Sequence, residues 1–364
     1  MAKPIYGFIG LGLIGGSIAR GLKRADPDVT IMAYMRTRAK LEQAKKDGTI
    51  DLILDGIDGA LSLCDVIFLC TPVEYNASYL QKLQPVLKEG ALITDVGSTK
   101  TGIHETVSQL NMEAIFVGGH PMAGSEKTGY ENSTDHLLEN AYYVITPTKE
   151  TTREQIERMR GIAKAIGAIP MVLDYREHDY AVTAISHLPH LIASSLVNLV
   201  RDNDSPEGIM KQMAAGGFKD ITRIASSSPV MWEQICMTNT DNIKLLLKKY
   251  IDALNTIYDE LESKDSGSIY RLFEESGTYR NTFSSHRQGL VSAEHSFSVD
   301  IVDEPGAISV LSAILAARGI NVKNIGINHN REDGEGALRI AFYDGRAMDA
   351  AHALLEKHNY ILGK

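Results

Sequence analysis

Cysteine is scarce in this sequence of 364 residues, and excess positive charge and long apolar runs are missing. It contains three cysteines, Cys64, Cys70 and Cys236, and no CxxC pair, which excludes a disulfide framework and the usual spacing of a zinc site. No apolar run reaches the roughly 18 residues that span a membrane. The N-terminus enters a strand-like segment at once, without the features of a signal peptide. We therefore expect a reduced, cytoplasmic protein with no membrane partner.

The charge balance argues against nucleic acid as a partner. The chain has 46 Asp and Glu against 37 Lys and Arg, a formal net charge of −9, whereas non-specific nucleic-acid binding needs a cationic surface. A hydrophobic content of 44% is typical of globular proteins. The length predicts two or three domains.

The first half of the sequence alternates short apolar runs with amphipathic segments. Thr151 and Glu154 have the spacing of a capping box at the start of one such segment. Because the runs are apolar on both faces, they are typical of buried parallel strands. The alternation predicts a doubly wound parallel α/β (Rossmann) domain over residues 1–174. The predicted strands lie within residues 5–10, 29–34, 66–72, 91–98, 114–119 and 141–147.

Residues 175–285 predict an all-helical domain, because apolar residues recur there every three or four positions. The second long helix has such a stripe and is long enough to form a subunit interface, although the stripe equally fits an intramolecular core. The stripe consists of Ile243, Leu247, Tyr250, Leu254, Ile257 and Leu261. A polar stretch at 284–296 then leads into a third unit, residues 293–364, whose βαββαβ pattern predicts a ferredoxin-like fold.

A GxGxxG motif follows the first predicted strand. Its glycines, Gly10, Gly12 and Gly15, suit a tight turn, close approach to a pyrophosphate and helix–strand packing, and the next helix supplies N–H donors. A turn without a ligand is the alternative.

Dinucleotide sites that prefer NAD have an acid about twenty residues later, but Met35 stands there and Arg36 and Arg38 follow. This favours or tolerates a 2′-phosphate, so NAD and NADP both remain open, and the arginines also fit a solvated surface.

Two side chains at predicted strand ends are candidates for catalysis. Ser98 follows the strand of the DVGSTK segment, where its hydroxyl suits either a ligand or the N-cap of a helix near Thr99. His120 opens the segment HPMAGSEKTG, whose Gly and Pro residues predict turns. Beside a dinucleotide site, an imidazole is suited to accept a hydroxyl proton during hydride transfer, whereas alone it fits a structural role.

The helical region contains two further candidates. Lys219 and Arg223 are four residues apart and suit either a carboxylate clamp or a surface charge cluster. His187 and His190 are spaced i, i+3, but no further ligands are evident, so we predict no metal site.

Taken together, these residues resemble the prephenate dehydrogenase family, which acts on prephenate or arogenate in tyrosine biosynthesis. The last unit resembles an ACT regulatory domain through DEPGAI (303–308) and NVKNIGI (321–327). The matching family motifs are GLGLIGGSIA (10–19), CTP (70–72), DVGSTK (95–100), HPMAGSEKTG (120–129), SHLPHLIA (186–193) and GGFKDITRIA (216–225), followed by Pro229 and Trp232.

The resemblance implies a homodimeric enzyme that uses NAD, or alternatively NADP, for oxidative decarboxylation of prephenate. His120 is then the base on the ring hydroxyl and Ser98 helps to fix that hydroxyl. Arg223 binds the substrate carboxylate with support from His190 and Lys219, and Ser125 and Glu126 border the pocket. The implied cofactor residues are Gly10, Gly12, Leu13, Ile14, Gly15, Arg36, Thr71 and Pro72.

The ACT resemblance implies an amino-acid effector, with tyrosine as the expected one. An arogenate dehydrogenase is the nearest alternative, since its substrate differs only in an amine replacing a keto group. A non-catalytic nucleotide-binding regulator is a further alternative, but it would not need the set Ser98, His120 and Arg223. The implied effector residues are Asp303, Glu304, Pro305, Gly306, Asn324 and Ile325.

Overall fold

The computed structural model describes residues 3–57, 59–124, 127–285, 295–302, 304–328 and 337–363. The chain divides into two compact units, Met1–Arg271 and Leu272–Lys364. The first contains a nucleotide-binding type of sheet followed by helices, and the second contains a smaller antiparallel sheet.

A five-stranded parallel sheet forms the centre of the first unit, as the sequence predicts. Phe8 and Phe68 stack on neighbouring strands with ring centroids 4.8 Å apart, and both are fully buried. Apolar residues on both faces thus correspond to helices packed on both sides. The strand order is β3 (Leu52–Ile53), β2 (Thr30–Tyr34), β1 (Ile5–Ile9), β4 (Val66–Leu69), β5 (Leu92–Asp95), and the helices between strands are α1 (Leu13–Ala25), α2 (Arg38–Lys46) and α3 (Val73–Leu83), with α4 (Thr101–Gln109) after β5.

The remaining strands of this unit form a three-stranded sheet in which the predicted parallel arrangement is wrong for one pair. Strands β6 (Val117–Pro121) and β7 (Tyr142–Pro147) are antiparallel, while β8 (Ile169–Val172) is parallel to β7. Burial on both faces makes a strand apolar whatever its direction, so composition did not reveal the reversal. A parallel bridge between Ile93 and Phe116 aligns β6 with β5, and the carboxyl ends of these two strands therefore lie on one edge.

Helix α5 (Arg153–Ala165) connects β7 to β8, and its capping box lies one residue later than predicted. Thr152 and Gln155 form the reciprocal bonds. Thr151 instead accepts the backbone N–H of Thr148 at 2.8 Å. The hydroxyl of Thr151 is therefore committed to the preceding turn.

A long helical run opens the helical part of the chain, where a π-helical turn (Thr183–His187) joins α6 (Tyr175–Val182) to α7 (Leu188–Asn203). Over Tyr175–Asn203 the hydropathy reaches 1.2, which by length and composition alone suffices to cross a membrane. The run carries buried polar residues such as Asp179 and His187 that bond to other elements. The remaining helices are α8 (Ile209–Met213), α9 (Gly216–Thr222), α10 (Pro229–Thr238), α11 (Thr240–Glu262) and α12 (Ser266–Ser285).

The apolar stripe of α11 is largely uncovered within one chain. Ile243, near the start of the helix, is 6% exposed, but Leu254 and Leu261 are 46% and 60% exposed. An intramolecular core would have buried these side chains. The exposure therefore favours the alternative of a subunit interface.

The second unit has the predicted βαββαβ element order. Its strands form one antiparallel sheet in the order β10-β11-β9-β12. Phe297, Leu311 and Leu355 are among the buried residues that pack between the sheet and its two helices. The elements are β9 (Ser296–Asp300), α13 (Ala307–Ala316), β10 (Val322–Asn328), β11 (Ala337–Phe342), α14 (Gly345–Lys357) and β12 (Leu362–Gly363).

Candidate active site

The glycine motif lies where β1 meets α1, and each glycine has a distinct environment. Gly10 has φ +87°, and a Cβ there would lie 2.6 Å from the carbonyl oxygen of Cys70. A Cβ on Gly15 would lie 2.9 Å from the carbonyl oxygen of Gly10, whereas Gly12 faces open space. Two glycines thus permit tight packing and the third leaves room for a ligand at the helix N-terminus, as a pyrophosphate requires.

The other predicted cofactor residues lie near the same edge. Leu13 and Ile14 open α1, Arg36 follows β2, and Thr71 and Pro72 follow β4. Because β2 and β4 flank β1 in a parallel sheet, their carboxyl ends meet beside the glycine turn.

The two arginines after β2 have different surroundings. The guanidinium of Arg36 lies 5.1 Å from the ring centroid of Tyr75, on the element that follows β4. Arg38 pairs with Glu42 and Asp55. Arg36 therefore contacts helix α3, and Arg38 belongs to a surface ion-pair cluster.

A buried ion pair joins the ends of β5 and β6. Lys100 is fully buried and donates to the carboxylate of Asp95 and, at 2.7 Å, to the carbonyl oxygen of Gly119. Asp95 also accepts the N–H of Gly119 at 3.2 Å. Burial lowers the pKa of Lys100, an effect that Asp95 opposes. Both residues belong to the DVGSTK motif, but the motif alone does not indicate this ion pair.

Ser98 lies within the connection that this ion pair holds in place. It is half-buried, between the end of β5 and the start of α4. The alternative of an N-cap near Thr99 is wrong, because α4 begins at Thr101 and Lys100 occupies the capping position. The hydroxyl of Ser98 is therefore not used as a helix cap.

His120 lies on β6, not in a loop as its Gly and Pro neighbours suggested, and pairs with Val144 of β7. Its Nδ1 is 2.8 Å from Nε2 of His178, and Nδ1 of His178 is 2.8 Å from Oδ1 of Asp179. Burial, followed by repulsion from His178 and Lys100, holds the pKa of His120 well below its ordinary value. Sequence reasoning missed His178 and Asp179.

Asp179 is held by backbone donors at the start of α4. The N–H groups of Lys100 and Thr101 lie 2.8 Å and 2.7 Å from its two carboxylate oxygens. Burial alone would raise the pKa of Asp179, but the hydrogen bonds from His178 and these backbone groups outweigh it, and the pKa is lowered. A chain of hydrogen bonds thus runs from His120 to the N-terminus of α4.

Asn239 extends the polar network toward the π-helical turn. Its Nδ2 is 3.0 Å from the carbonyl oxygen of Asp179, 2.7 Å from Oγ1 of Thr183 and 3.2 Å from Nδ1 of His187. Burial lowers the pKa of His187 to about 4. His187 is therefore neutral at neutral pH, and it contributes a hydrogen bond to this network but no charge.

His190 and Arg223 interact electrostatically, and their shared role at the substrate carboxylate stays a prediction. The His190 ring stacks on Trp232 with centroids 3.7 Å apart, and its Nδ1 lies 2.8 Å from the carbonyl oxygen of Ser186. Burial lowers the pKa of His190, and the positive charge of Arg223 lowers it further. Lys219 is exposed on α9. Arg223 follows the end of α9 in a 3₁₀ turn, so the two cations do not share a regular helix face.

The remaining predicted residues fall partly outside the described ranges. Ser125, Glu126 and Asp303 lie outside the described residues. In the second unit, Glu304, Pro305 and Gly306 form the turn before α13, with Gly306 at φ +94°. Asn324 and Ile325 lie on the edge strand β10. Within the described parts of the chain, no three His, Cys, Asp or Glu side chains group as metal ligands do.

The chain is similar to known proteins over most of its length. The family profile described as prephenate dehydrogenase, nucleotide-binding domain, matches residues 18–172. The one described as prephenate dehydrogenase, dimerization domain, matches residues 174–275. The prephenate dehydrogenase of Bacillus subtilis (strain 168) is 38% identical over 349 residues, which cover 95% of this chain and 94% of the relative. That alignment therefore extends into the second unit.

Solved structures show the same similarity. Prephenate dehydrogenase from A. aeolicus, in complex with hydroxyphenyl propionate and NAD+, has a TM-score of 0.73 and 30% identity, covering 78% of this chain and all but 1% of its own. Synechocystis arogenate dehydrogenase has a TM-score of 0.70 and 30% identity over 77% of this chain and 99% of its own. The chain therefore belongs to the prephenate dehydrogenase family of oxidoreductases.

Proposed function

We propose that this chain catalyses the NAD-dependent oxidative decarboxylation of prephenate to 4-hydroxyphenylpyruvate in the cytoplasm. The observation that carries the proposal is His120, backed by a buried His–Asp pair and placed near the carboxyl end of β6, which runs parallel to β5 of the sheet that bears the glycine turn. The open space at Gly12 and the N-terminus of α1 fit a dinucleotide. The glycine turn and the N-terminus of α1 would hold NAD+, which would supply the hydride acceptor for the ring carbon that carries the hydroxyl.

His120 is the general base of this reaction. Its pKa lies well below the ordinary value, so the neutral imidazole is present at neutral pH and is ready to accept the hydroxyl proton. Ser98 occupies the neighbouring strand end and hydrogen-bonds the same hydroxyl. Loss of the ring carboxylate as CO2 then makes the ring aromatic, which drives the reaction forward.

The substrate carboxylate binds at the opposite end of the site, near Arg223. Guanidinium groups suit carboxylates because they donate two parallel hydrogen bonds. The buried indole N–H of Trp232 finds no acceptor among the described residues and adds a second donor beside His190. Lys219 contributes positive charge at the rim, and the roles of Ser125 and Glu126 remain those that the family resemblance implies.

Replacing Arg223 with Ala should raise KM for prephenate by about 10–100-fold, the effect of losing a charge-assisted hydrogen bond worth about 1.5–3 kcal/mol. Initial-rate kinetics with saturating cofactor measure this. The matched control is Arg201→Ala, which removes the same charge from an exposed ion pair with Asp202 and should leave KM unchanged. An unchanged KM in the Arg223 variant would place the carboxylate elsewhere.

Arogenate is the second candidate substrate, because one structurally similar protein is an arogenate dehydrogenase. The full-length enzyme is assayed with prephenate and arogenate, each with NAD and NADP, by following the reduced nicotinamide. Of the four combinations of substrate and cofactor, we expect prephenate with NAD to give the highest kcat/KM. Met35 and Arg36 remove the acid that repels a 2′-phosphate, so measurable turnover with NADP is compatible with the proposal. Turnover of neither substrate would contradict it.

The enzyme acts as a homodimer that forms through its helical region. The profile matching residues 174–275 describes a dimerization domain, and the exposed stripe on α11 lies within that range. Leu254 and Leu261 supply the apolar surface that a partner subunit covers.

The second unit acts as an ACT-type regulatory domain that binds tyrosine. Its βαββαβ order and the turn before α13 support this proposal. Among the described residues, the ligand contacts fall on Glu304, Pro305 and Gly306 of that turn and on Asn324 and Ile325 of β10. An amino acid bound there alters the activity of the first unit.

Tyrosine is expected to inhibit the full-length chain and to have a weaker effect on a chain that ends at Ser285. The physical reason is that the shortened chain lacks the effector site while retaining the catalytic residues. Activity is titrated against tyrosine for both chains, with phenylalanine as the control effector. Identical tyrosine curves for the two chains would contradict the assignment.

A further inference from the structure

Two buried side chains of α6 determine how His120 presents its ring. His178 and Asp179 are 1% and 0% exposed, and they separate His120 from the backbone of α4. The inference that follows rests on the proposed role of His120 as general base. It concerns which of the two ring nitrogens is free to accept a proton.

Asp179 is ionised and can only accept hydrogen bonds. The N–H groups of Lys100 and Thr101 point to its two oxygens at 2.8 Å and 2.7 Å, and they belong to the N-terminus of α4, where the helix dipole favours a negative charge. An ionised carboxylate has no proton to donate. In the 2.8 Å hydrogen bond between these residues, Nδ1–H of His178 is therefore the donor and Oδ1 of Asp179 is the acceptor.

A neutral imidazole carries a proton on one nitrogen and a lone pair on the other. With its proton on Nδ1, His178 presents the lone pair of Nε2 to Nδ1 of His120, 2.8 Å away. Nδ1 of His120 must then carry the proton, and its Nε2 is left unprotonated. We propose that His178, held by Asp179, is a positioning residue that fixes His120 in the tautomer whose Nε2 accepts the substrate proton.

The same arrangement stabilises the imidazolium that forms during the reaction. A new N–H bond forms at Nε2 of His120 while the hydroxyl O–H bond breaks, and the oxygen electron pair forms the C=O bond as hydride leaves the carbon for the NAD+ that the site would hold. When the bond to the ring carboxylate breaks and CO2 leaves, its electron pair makes the ring aromatic and returns charge to that oxygen, which takes the proton back from Nε2 of His120. Among the titratable groups that act on His120, Lys100 is the cation, His178 and His187 are neutral imidazoles in this arrangement, and the counter-charge is Asp179. Asp179 thus offsets a charge that burial otherwise disfavours.

The tautomer is directly observable in the full-length protein without any assay of activity. Histidine rings labelled with ¹⁵N give two-bond ¹H–¹⁵N correlations that distinguish protonated from unprotonated nitrogens, and the His120 signal is the one lost in His120→Asn. A protonated Nδ1 and an unprotonated Nε2 are expected. A protonated Nε2 on His120 in the wild-type protein overturns the proposal, whether or not the proposed reaction is correct.

Kinetics distinguish positioning from a merely structural contribution. His178→Gln keeps a carbonyl acceptor for Nδ1 of His120, whereas His178→Leu keeps none. We expect kcat to fall about 10²-fold or more in the Leu variant and the Gln variant to recover about 10-fold of that loss, with KM for prephenate little changed. Equal kcat losses in the two variants would overturn the proposal.

A buried histidine outside this chain of hydrogen bonds provides the control. His104 is 5% exposed, lies 2.9 Å from Oγ1 of Thr146 and stacks on Tyr175. His104→Gln should retain kcat within about threefold, because only a local packing contact changes. If His178→Leu does not fold, the tautomer measured in the wild-type protein still decides the question.

Discussion

Replacing His120 with Asn lowers kcat by about 10²–10⁴-fold, the range for loss of a general base. Asn is close in shape to the proximal part of the ring but cannot take a proton at neutral pH. Cofactor binding should remain near normal, since the glycine turn lies on β1 and α1 and His120 on β6. Steady-state kinetics and fluorescence titration with NAD+ give the two quantities separately.

The control for this variant is His136→Asn. His136 is 66% exposed in its side chain and pairs only locally with Asp135, so its replacement should leave kcat unchanged. Activity of the His120 variant within about threefold of wild type would remove His120 from the base role. Unchanged kcat in both variants would therefore refute the proposed mechanism.

The pH dependence of the wild-type enzyme provides an independent check of the same residue. Burial, followed by repulsion from His178 and Lys100, lowers the pKa of His120. A base with a lowered pKa stays unprotonated to lower pH, so kcat/KM should decline only below about pH 6.5, the ordinary value for histidine. If kcat/KM already fell at a pH above 6.5 as the pH was lowered, the pKa of His120 would not be lowered, and the proposed effect of burial on the charged ring would be wrong.

The features that the sequence predicted well are local. The GxGxxG motif follows a strand and opens a helix. Gly10 and Gly15 are closely packed against the backbone, and Gly12 faces open space, as the motif predicts. The βαββαβ order of the second unit is likewise a succession of short periodic segments. Such patterns depend only on residues that are close together in the chain, so they can be detected from a single sequence.

The features that it missed depend on residues distant in the chain. Lys100 and Asp179 are 79 positions apart, and His120 and His178 are 58 apart. No periodicity links such pairs, because the contact exists only after α6 packs beside α4. The direction of β7 was missed for a related reason, since an apolar strand buried on both faces has the same composition in either direction.

The position of Ser98 illustrates how a local motif needs tertiary information. DVGSTK suggested either a ligand-binding hydroxyl or a helix cap, and the start of α4 at Thr101 excludes the cap. What holds the segment is the ion pair between Asp95 and Lys100, whose ammonium also binds the carbonyl of Gly119 beside His120. A charged pair within an apolar sheet therefore fixes the geometry of the two proposed catalytic residues.

Replacing Lys100 with Met should lower the free energy of unfolding by about 3–5 kcal/mol, the cost of leaving one member of a buried ion pair uncompensated. Asp95 is 1% exposed and would keep its charge away from water, and Gly119 would lose a donor to its carbonyl oxygen. Urea denaturation of the full-length protein measures the change in the free energy of unfolding. The protein concentration is kept the same for all variants, because the unfolding of an oligomer depends on it.

The matched control for Lys100→Met is Lys248→Met. Lys248 forms an exposed ion pair with Asp252 at 2.7 Å, and the two side chains are 69% and 57% exposed, so its loss should change stability by less than about 0.5 kcal/mol. A double variant, Lys100→Met with Asp95→Asn, should recover part of the loss because no buried charge remains. If Lys100→Met were as stable as Lys248→Met, the buried pair would not hold β5 and β6 together.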